Sequence, residues 1–302
     1  MIVLSALIRE LFMNAIASIS HKDVSILSSL AHSLTATVYE PRQSPLGAIL
    51  IGPATGIGRE FYQHFATFLA EAGYGVLTFD NYGIGDSKPA SVRHCDASLV
   101  TWGQGDLTAA LNYLKDAFPK CPYHLVGHSA GGQLIGLMEN NQLLSSVFNV
   151  ACSSGQLSNM RLGYRVKAHY FMNAFIPLNN WLFGQTNSDW VGMGEKLPRL
   201  VASQWRRWCN GQGYVETGFG KEIGRHNYDT LSLPIHWVNA IDDDIANAKN
   251  VEDMIRVFPQ CQHTKTVLNP NEHQLAEIGH MRFFSRRSNA LWPMVIQWIN
   301  QY

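Results

Sequence analysis

One stretch of the sequence, residues 123–132, constrains the fold of this chain more than any other. It reads as a short apolar strand, a turn of small residues and a helix that begins near Gly131. Gly127, Ser129 and Gly131 form the pattern G-x-S-x-G, which places a serine hydroxyl on a sharp, strained turn between a strand and a helix. The N-terminus of the following helix favours developing negative charge near that hydroxyl. The stretch therefore predicts a nucleophilic serine at the end of a central strand.

Apolar runs and helical stretches alternate along most of the chain. Two strands of a hairpin are predicted at 24–30 and 34–39. Apolar runs typical of strands buried on both faces follow at 47–51, 74–79, 146–151, 234–239 and 264–268. The predicted helices are 61–72, 105–118, 251–258 and 291–299. The alternation predicts an α/β fold, with a mostly parallel central sheet and helices on both faces.

Residues 155–226 break this alternation and read as an inserted helical cap. They are rich in aromatic residues and contain four of the eight tryptophans. These aromatic residues could line an apolar pocket, but packing within the cap is the simpler explanation for any single one of them. The predicted division is an N-terminal leader at 1–22, a core at 23–154 and 227–302, and the cap at 155–226.

Composition excludes several function classes. Lys and Arg total 23 and Asp and Glu total 23, and this balance without a basic stripe argues against a nucleic-acid partner. Five scattered cysteines without a C-x-x-C pair argue against a zinc site or a disulfide framework and favour a reducing cytoplasm. The apolar start, residues 1–8, is too short for a membrane span, so no stable membrane insertion is expected. It reads as an amphipathic leader or as an over-extended start before Met13, with a signal peptide as the less favoured alternative.

A serine hydroxyl needs a histidine base, and that base needs a carboxylate to orient it. On an elbow of this kind the acid follows the serine in the chain and the histidine comes last. The strand at 234–239 is followed by Asp242, Asp243 and Asp244. We favour Asp243, because the acid in such loops comes about three residues past the strand end. Its two neighbours would then be helix-capping or solvated acids.

The candidate base is His280, which follows the last predicted strand. Gly279 before it lets the loop turn into the site, and Phe283 and Phe284 after it can anchor the loop. His273 in the same loop is the rival candidate. His128 lies beside the serine and cannot easily aim at the neighbouring hydroxyl, so we expect it to shape the wall of the site.

An oxyanion formed during acyl transfer needs two preorganised backbone N–H donors. Ala130, directly after the serine, is the first candidate. The second should come from the loop after the 47–51 strand, where Pro53 has no N–H and Ala54 is the first residue that can serve.

These motifs together resemble the α/β-hydrolase fold, from about residue 33 to residue 302. The features that carry the resemblance are Gly52-Pro53-Ala54, Asp80-x-x-Gly83-x-Gly85-x-Ser87, the elbow at 127–131, Asp243 and Gly279-His280. Within that fold the chain is similar to the lipase-like and serine-aminopeptidase-like group, close to uncharacterised bacterial hydrolases. It departs from that group at Gly52-Pro53, where the oxyanion loop commonly reads His-Gly.

The resemblance implies a cofactor-independent Ser-His-Asp hydrolase, without a metal, that acts on a small-molecule ester or acyl substrate. It does not fix the substrate, because this fold hosts many chemistries. Thioester hydrolysis, cleavage of an N-terminal peptide bond and acyl transfer to an alcohol stay open. So do a non-catalytic ligand-binding protein and a scaffold that docks a membrane or a protein through the cap. The sequence does not indicate an oligomeric state.

Overall fold

An eight-stranded sheet forms the centre of the computed structural model, which describes residues 19–302. Its strands are β1 (Ser20–Leu27), β2 (Ser33–Glu40), β3 (Ala48–Gly52), β4 (Gly75–Phe79), β5 (Tyr123–His128), β6 (Leu144–Val150), β9 (Pro234–Ala240) and β10 (Gln262–Leu268). The spatial order is β1-β2-β4-β3-β5-β6-β9-β10. Only the β1–β2 and β2–β4 pairs are antiparallel. The predicted α/β fold with a mostly parallel sheet is therefore confirmed.

Helices and short helical turns connect these strands. The helices are α1 (Gln63–Glu71), α2 (residues 99–117), α3 (Ala130–Gln133), α4 (residues 162–183), α5 (Arg199–Cys209), α6 (Ala248–Ile255) and α7 (Pro293–Ile299). Two of them contain a π turn, at Trp102–Leu107 in α2 and at Phe171–Phe175 in α4. The 3-10 turns are Arg59–Tyr62, Gly85–Ser87, Val92–His94, Ile135–Leu137, Asn141–Leu143, Leu157–Asn159, Ser188–Val191, Tyr214–Gly218, Pro270–His273, Arg282–Phe284 and Arg286–Leu291. Within the described residues, no helix is long and apolar enough to cross a bilayer.

The N-terminal strand overlaps the predicted leader. Strand β1 begins at Ser20, inside the predicted leader at 1–22, whereas residues 1–18, with Met1 and Met13, lie outside the described residues. The helix after the serine, α3, is only four residues long, and the 3-10 turn Ile135–Leu137 follows it. The hydroxyl of loop residue Tyr228 explains this, because it donates to the carbonyl of Gln133 at 2.7 Å, and the Leu137 N–H donates to the carbonyl of Leu134 instead.

A buried ion pair fixes the loop that follows β3. Asp80, at the end of β4, has no exposed surface and accepts from both the backbone N–H and the guanidinium of Arg59, each at 2.6 Å. The same carboxylate accepts the N–H of Asp86 at 3.0 Å. Gly85 is required there, because a Cβ at that position would lie 2.3 Å from the Asp80 carboxylate. The glycine-rich turn that contains Gly83 and Gly85 therefore packs closely around the carboxylate of Asp80.

The cap segment, residues 155–226, runs between β6 and β9 and contacts the loops at the carboxyl end of the sheet. It contains α4, α5 and a two-stranded ribbon of β7 (Gln185–Thr186) and β8 (Leu197–Pro198). The N–H of Glu195 donates to the carbonyl of Gly56 at 2.8 Å, and the Glu195 carboxylate pairs with Lys88. Arg161 pairs with Asp244 at 3.4 Å. The cap segment is therefore held against the loops that follow β3, β4 and β9.

We expect Gly131→Ala to destabilise the fold by about 3 kcal/mol, because its Cβ would overlap backbone that cannot move aside. An added Cβ at Gly131 would lie 2.0 Å from the carbonyl oxygen of Gly52. Gly163→Ala in α4 is the matched control, since a Cβ there meets nothing within 4 Å. It should leave stability unchanged or raise it by up to about 1 kcal/mol. Denaturant unfolding of both variants tests this, and equal stability of Gly131→Ala and wild type would contradict it.

Candidate active site

Ser129 lies on the turn between β5 and α3 in a strained backbone conformation. Its φ of 49° and ψ of −114° lie outside the regions that L-residues normally occupy. The turn is tight, since a Cβ at Gly127 would lie 2.4 Å from the Cα of Gly132. The serine is only partly buried. This geometry presents its hydroxyl at the carboxyl end of the sheet.

The structure brings Ser129, His280 and Asp243 into one hydrogen-bonded chain. The Nε2 atom of His280 lies 3.2 Å from the Ser129 Oγ, and its Nδ1 lies 2.8 Å from the Asp243 Oδ2. A carboxylate only accepts, so Nδ1 carries the ring proton and Nε2 is free to accept from the serine hydroxyl. His273, the rival histidine, lies in the 3-10 turn Pro270–His273, and no hydrogen bond joins it to Ser129 among the described residues.

Asp243 is buried, and both of its carboxylate oxygens accept hydrogen bonds. Its Oδ1 accepts from the N–H groups of Ile245 and Ala246, both at 2.8 Å, while its Oδ2 faces His280. Burial alone would raise the pKa of Asp243, but the facing imidazole and the two N–H donors outweigh it and hold the pKa below its usual value. The carboxylate is therefore ionised at neutral pH and can stabilise a positive charge on His280.

Asp242 has a role that the sequence did not reveal. We expected a helix-capping or solvated acid, whereas its two carboxylate oxygens accept the N–H groups of Ile278 and Gly279, each at 3.0 Å. These are the two residues before His280, so Asp242 holds the backbone that carries the imidazole. Asp244 differs from both neighbours, because it pairs with Arg161 of the cap segment. The three adjacent acids thus bind three different partners.

His128 connects the serine turn to the histidine loop. Its Nε2 lies 2.9 Å from the carbonyl oxygen of His280, which only accepts, so Nε2 carries the ring proton. Its Nδ1 therefore accepts from the hydroxyl of Tyr62 at 2.8 Å. Burial lowers the pKa of His128 to about 3, and the ring is neutral at physiological pH. As expected from its position next to Ser129, His128 makes no hydrogen bond with that hydroxyl, and its side chain has no exposed surface.

The two candidate oxyanion donors differ in how they are used. Ala130 is the first residue of α3, where a backbone N–H has no partner within the helix. The N–H of Ala54 already donates to the Tyr62 hydroxyl at 2.9 Å. An oxyanion at this position would therefore share the Ala54 N–H with Tyr62 or replace that contact. The second donor stays a prediction.

A sequence model of the alpha/beta hydrolase family matches residues 49–287. This span includes the loop after β3, the turn at Ser129, the acid loop and His280.

Solved structures with a similar fold include three esterases or lipases. A thermostable carboxyl esterase from Bacillus coagulans is 16% identical, with a TM-score of 0.64 over 93% of this chain and 98% of that chain. An esterase from Pyrococcus furiosus is 16% identical, with a TM-score of 0.60 over 94% of this chain and 92% of that one. A lipase in an open form is 14% identical, with a TM-score of 0.62 over 93% and 99%. At these identities the likeness concerns the fold.

We expect Asp242→Asn to slow the reaction of Ser129 with a fluorophosphonate probe by about 10-fold to 100-fold, because small misplacements of a base cost that much. The asparagine NH₂ would oppose a backbone N–H of the 278–279 segment, so the His280 loop would shift. Asp244→Asn is the control on the adjacent residue, which binds Arg161 instead. Labelling rates at equal folded concentration provide the measurement. Equal rates for the two variants would contradict the positioning role of Asp242.

The low pKa of His128 should make the stability of the fold depend on pH. Its pKa is about 3 in the folded protein against an ordinary 6.5, so below pH 6.5 the unfolded chain binds a proton that the folded one does not. The free energy of unfolding should therefore fall as pH is lowered from 6.5. His128→Gln should flatten this dependence by up to about 1.4 kcal/mol per pH unit. Denaturant unfolding at several pH values below 6.5 tests this, with His94→Gln, at an exposed histidine, as the control. The prediction would be refuted if the free energy of unfolding depended on pH in the same way in the wild type and both variants.

Proposed function

The chain belongs to the alpha/beta hydrolase family, and we propose that it is a serine hydrolase that cleaves carboxylic esters. The observation that carries this proposal is the hydrogen-bonded chain from Ser129 through His280 to Asp243. Its proton arrangement suits acyl transfer, because the serine hydroxyl faces an unprotonated imidazole nitrogen. Each acceptor of Asp243 is occupied by a donor that stabilises its ionised form.

In the first half of the proposed reaction, Ser129 attacks the ester carbonyl carbon while His280 Nε2 takes the hydroxyl proton. The imidazolium that results is stabilised by Asp243, 2.8 Å from its Nδ1. Collapse of the tetrahedral intermediate breaks the bond to the alkoxy group, and His280 returns the proton to the leaving alcohol. An acyl group is then bound to Ser129.

In the second half, water attacks the acyl group and His280 acts again as base. The proton passes to Ser129 as the carboxylic acid leaves, which restores the resting enzyme. We assign the oxyanion of both intermediates to the N–H groups of Ala130 and Ala54. Tyr62 would keep the Ala54 amide in position before the oxyanion forms, because its hydroxyl is the present acceptor of that N–H.

The substrates that we propose are small-molecule esters with short or medium acyl chains. Support comes from the structural neighbours that are a carboxyl esterase, an esterase and a lipase. Thioesters, N-terminal peptide bonds and acyl transfer to an alcohol would use the same three residues and are separated by a substrate panel. A ligand-binding protein without catalysis would not need the Ser129–His280 contact at 3.2 Å. We place the protein in a reducing compartment such as the cytoplasm, since its five cysteines are free thiols.

We expect a fluorophosphonate probe to label the wild-type protein and to leave Ser129→Ala unlabelled. Hydrolysis of short-chain p-nitrophenyl esters should fall by about 10⁴-fold or more in the same variant, because the nucleophile is lost. Ser158→Ala is the matched control, since Ser158 is an exposed serine outside the hydrogen-bonded chain. It should keep both activities. Well-folded wild-type protein that neither reacts with the probe nor hydrolyses any acyl ester would disprove the proposal.

A further inference from the structure

The first part of α4, Leu162–Tyr170, has no buried residue. A short helix in water is normally stabilised by packing one apolar face against the rest of the protein. Tyr164 and Ala168 are partly buried and pack against the core. The apolar side chains of Leu162, Val166 and Tyr170 point outward, each more than 60% exposed. Their spacing of four residues puts them on one side of the helix. This side is an apolar face that nothing in the described chain covers.

The exposed face continues along the second part of α4. At about 100° per residue in the α-helical turns and about 80° in the π turn, six of its large exposed side chains lie within a sector of about 100°. They are Leu162, Val166, Tyr170, Leu178, Trp181 and Leu182, which we call the cap stripe. Phe183, which is 39% exposed, lies outside this sector. Without the π turn at Phe171–Phe175, the later residues would rotate away from the earlier ones. The stripe is about 30 Å long.

The charge around the cap stripe is positive. Residues 161–188 contain three Arg and Lys residues and no Asp or Glu. Arg165 and Lys167 lie on opposite sides of the stripe at the same helical spacing, and neither forms an ion pair with a described residue. The whole cap segment contains nine Lys and Arg against four Asp and Glu. A chain with no net charge therefore presents a basic face around its largest exposed apolar side chains.

Trp181 lies at the far end of the stripe and is 79% exposed. It lines a depression of about 220 Å³ together with Arg199 and Arg206 of α5. Nearby along the chain, Phe183 packs edge-on against Trp190, which is also exposed. Exposed tryptophan beside arginine is typical of protein surfaces at the level of lipid headgroups, where the ring is half-buried and the guanidinium stays in water.

We propose that the cap stripe docks on the surface of an anionic lipid bilayer. The apolar side chains would enter the headgroup region, and the flanking Arg and Lys would contact lipid phosphates. A second copy of this chain fits less well, because a two-fold interface would place this basic face against itself. Docking does not depend on the proposed ester hydrolysis. It would bring the lipid close to Arg161, which adjoins the stripe and binds Asp244 in the acid loop.

Flotation of the full chain with unilamellar vesicles tests this proposal. We expect binding to vesicles of equal parts phosphatidylcholine and phosphatidylglycerol to be at least 10-fold stronger than to phosphatidylcholine alone, and to weaken strongly at about 0.5 M salt. Binding should shift the tryptophan emission to shorter wavelength, since Trp181 and Trp190 are the most exposed tryptophans. The Val166→Ser/Trp181→Ser double variant should lose at least about 10-fold in affinity, and so should Arg165→Gln/Lys167→Gln.

The matched control is Leu27→Ser/Leu46→Ser, which removes two side chains of similar exposure, 76% and 65%, outside the cap segment. It should bind the vesicles as the wild type does. Wild-type protein that does not bind the anionic vesicles would overturn the proposal, as would binding that both cap variants retain. A dimer seen by light scattering without lipid, and broken by Val166→Ser/Trp181→Ser, would assign the stripe to self-association instead.

Discussion

The backbone position of His280 is the constraint on which the geometry of the site depends. Asp243 fixes the orientation of the His280 ring, but the ring can reach Ser129 only if the backbone of His280 is in the right place. That backbone is held by Asp242 at the two preceding N–H groups and by His128 at its own carbonyl. These two residues come from the loop after β9 and from the end of β5. The register of the parallel sheet therefore sets the 3.2 Å between His280 Nε2 and Ser129 Oγ.

The hydrogen bonds that start at Ala54 have one direction. The Ala54 N–H donates to Tyr62, Tyr62 donates to His128, and His128 donates to the carbonyl of His280. Because each ring nitrogen and hydroxyl has one available role, reversing any member would leave a buried donor or acceptor unpaired, at about 1–3 kcal/mol. The loop after β3 and the loop after β10 are thus joined through the residue next to the serine. This arrangement requires a neutral His128, because its Nδ1 must accept the hydrogen bond from Tyr62.

Residues whose position follows from local pattern could be read from the sequence. The strand-turn-helix around Ser129, the order of acid and histidine, and the alternation of strands and helices are local or one-dimensional signals. Asp242 and Tyr62 were missed because their partners are 36 and 8 residues away in sequence, and no spacing rule connects them. The end of α3 could not be read from the sequence for the same reason, since the hydroxyl of Tyr228, 95 residues away, binds the carbonyl of its last residue, Gln133.

The distribution of charge in the cap segment follows from how it is attached. Three of its four acids are used in ion pairs: Glu195 with Lys88, Glu216 with Arg256 and Glu222 with Arg207. Two of those partners, Lys88 and Arg256, lie outside the cap segment, so two of its four acids hold it against the core. Among the basic residues that remain, Arg165 and Lys167 lie on α4, and Arg199 and Arg206 lie on α5 near Trp181. These four form no ion pair with a described residue, whereas three of the four acids of the cap segment are paired, and this makes one face of a neutral protein basic.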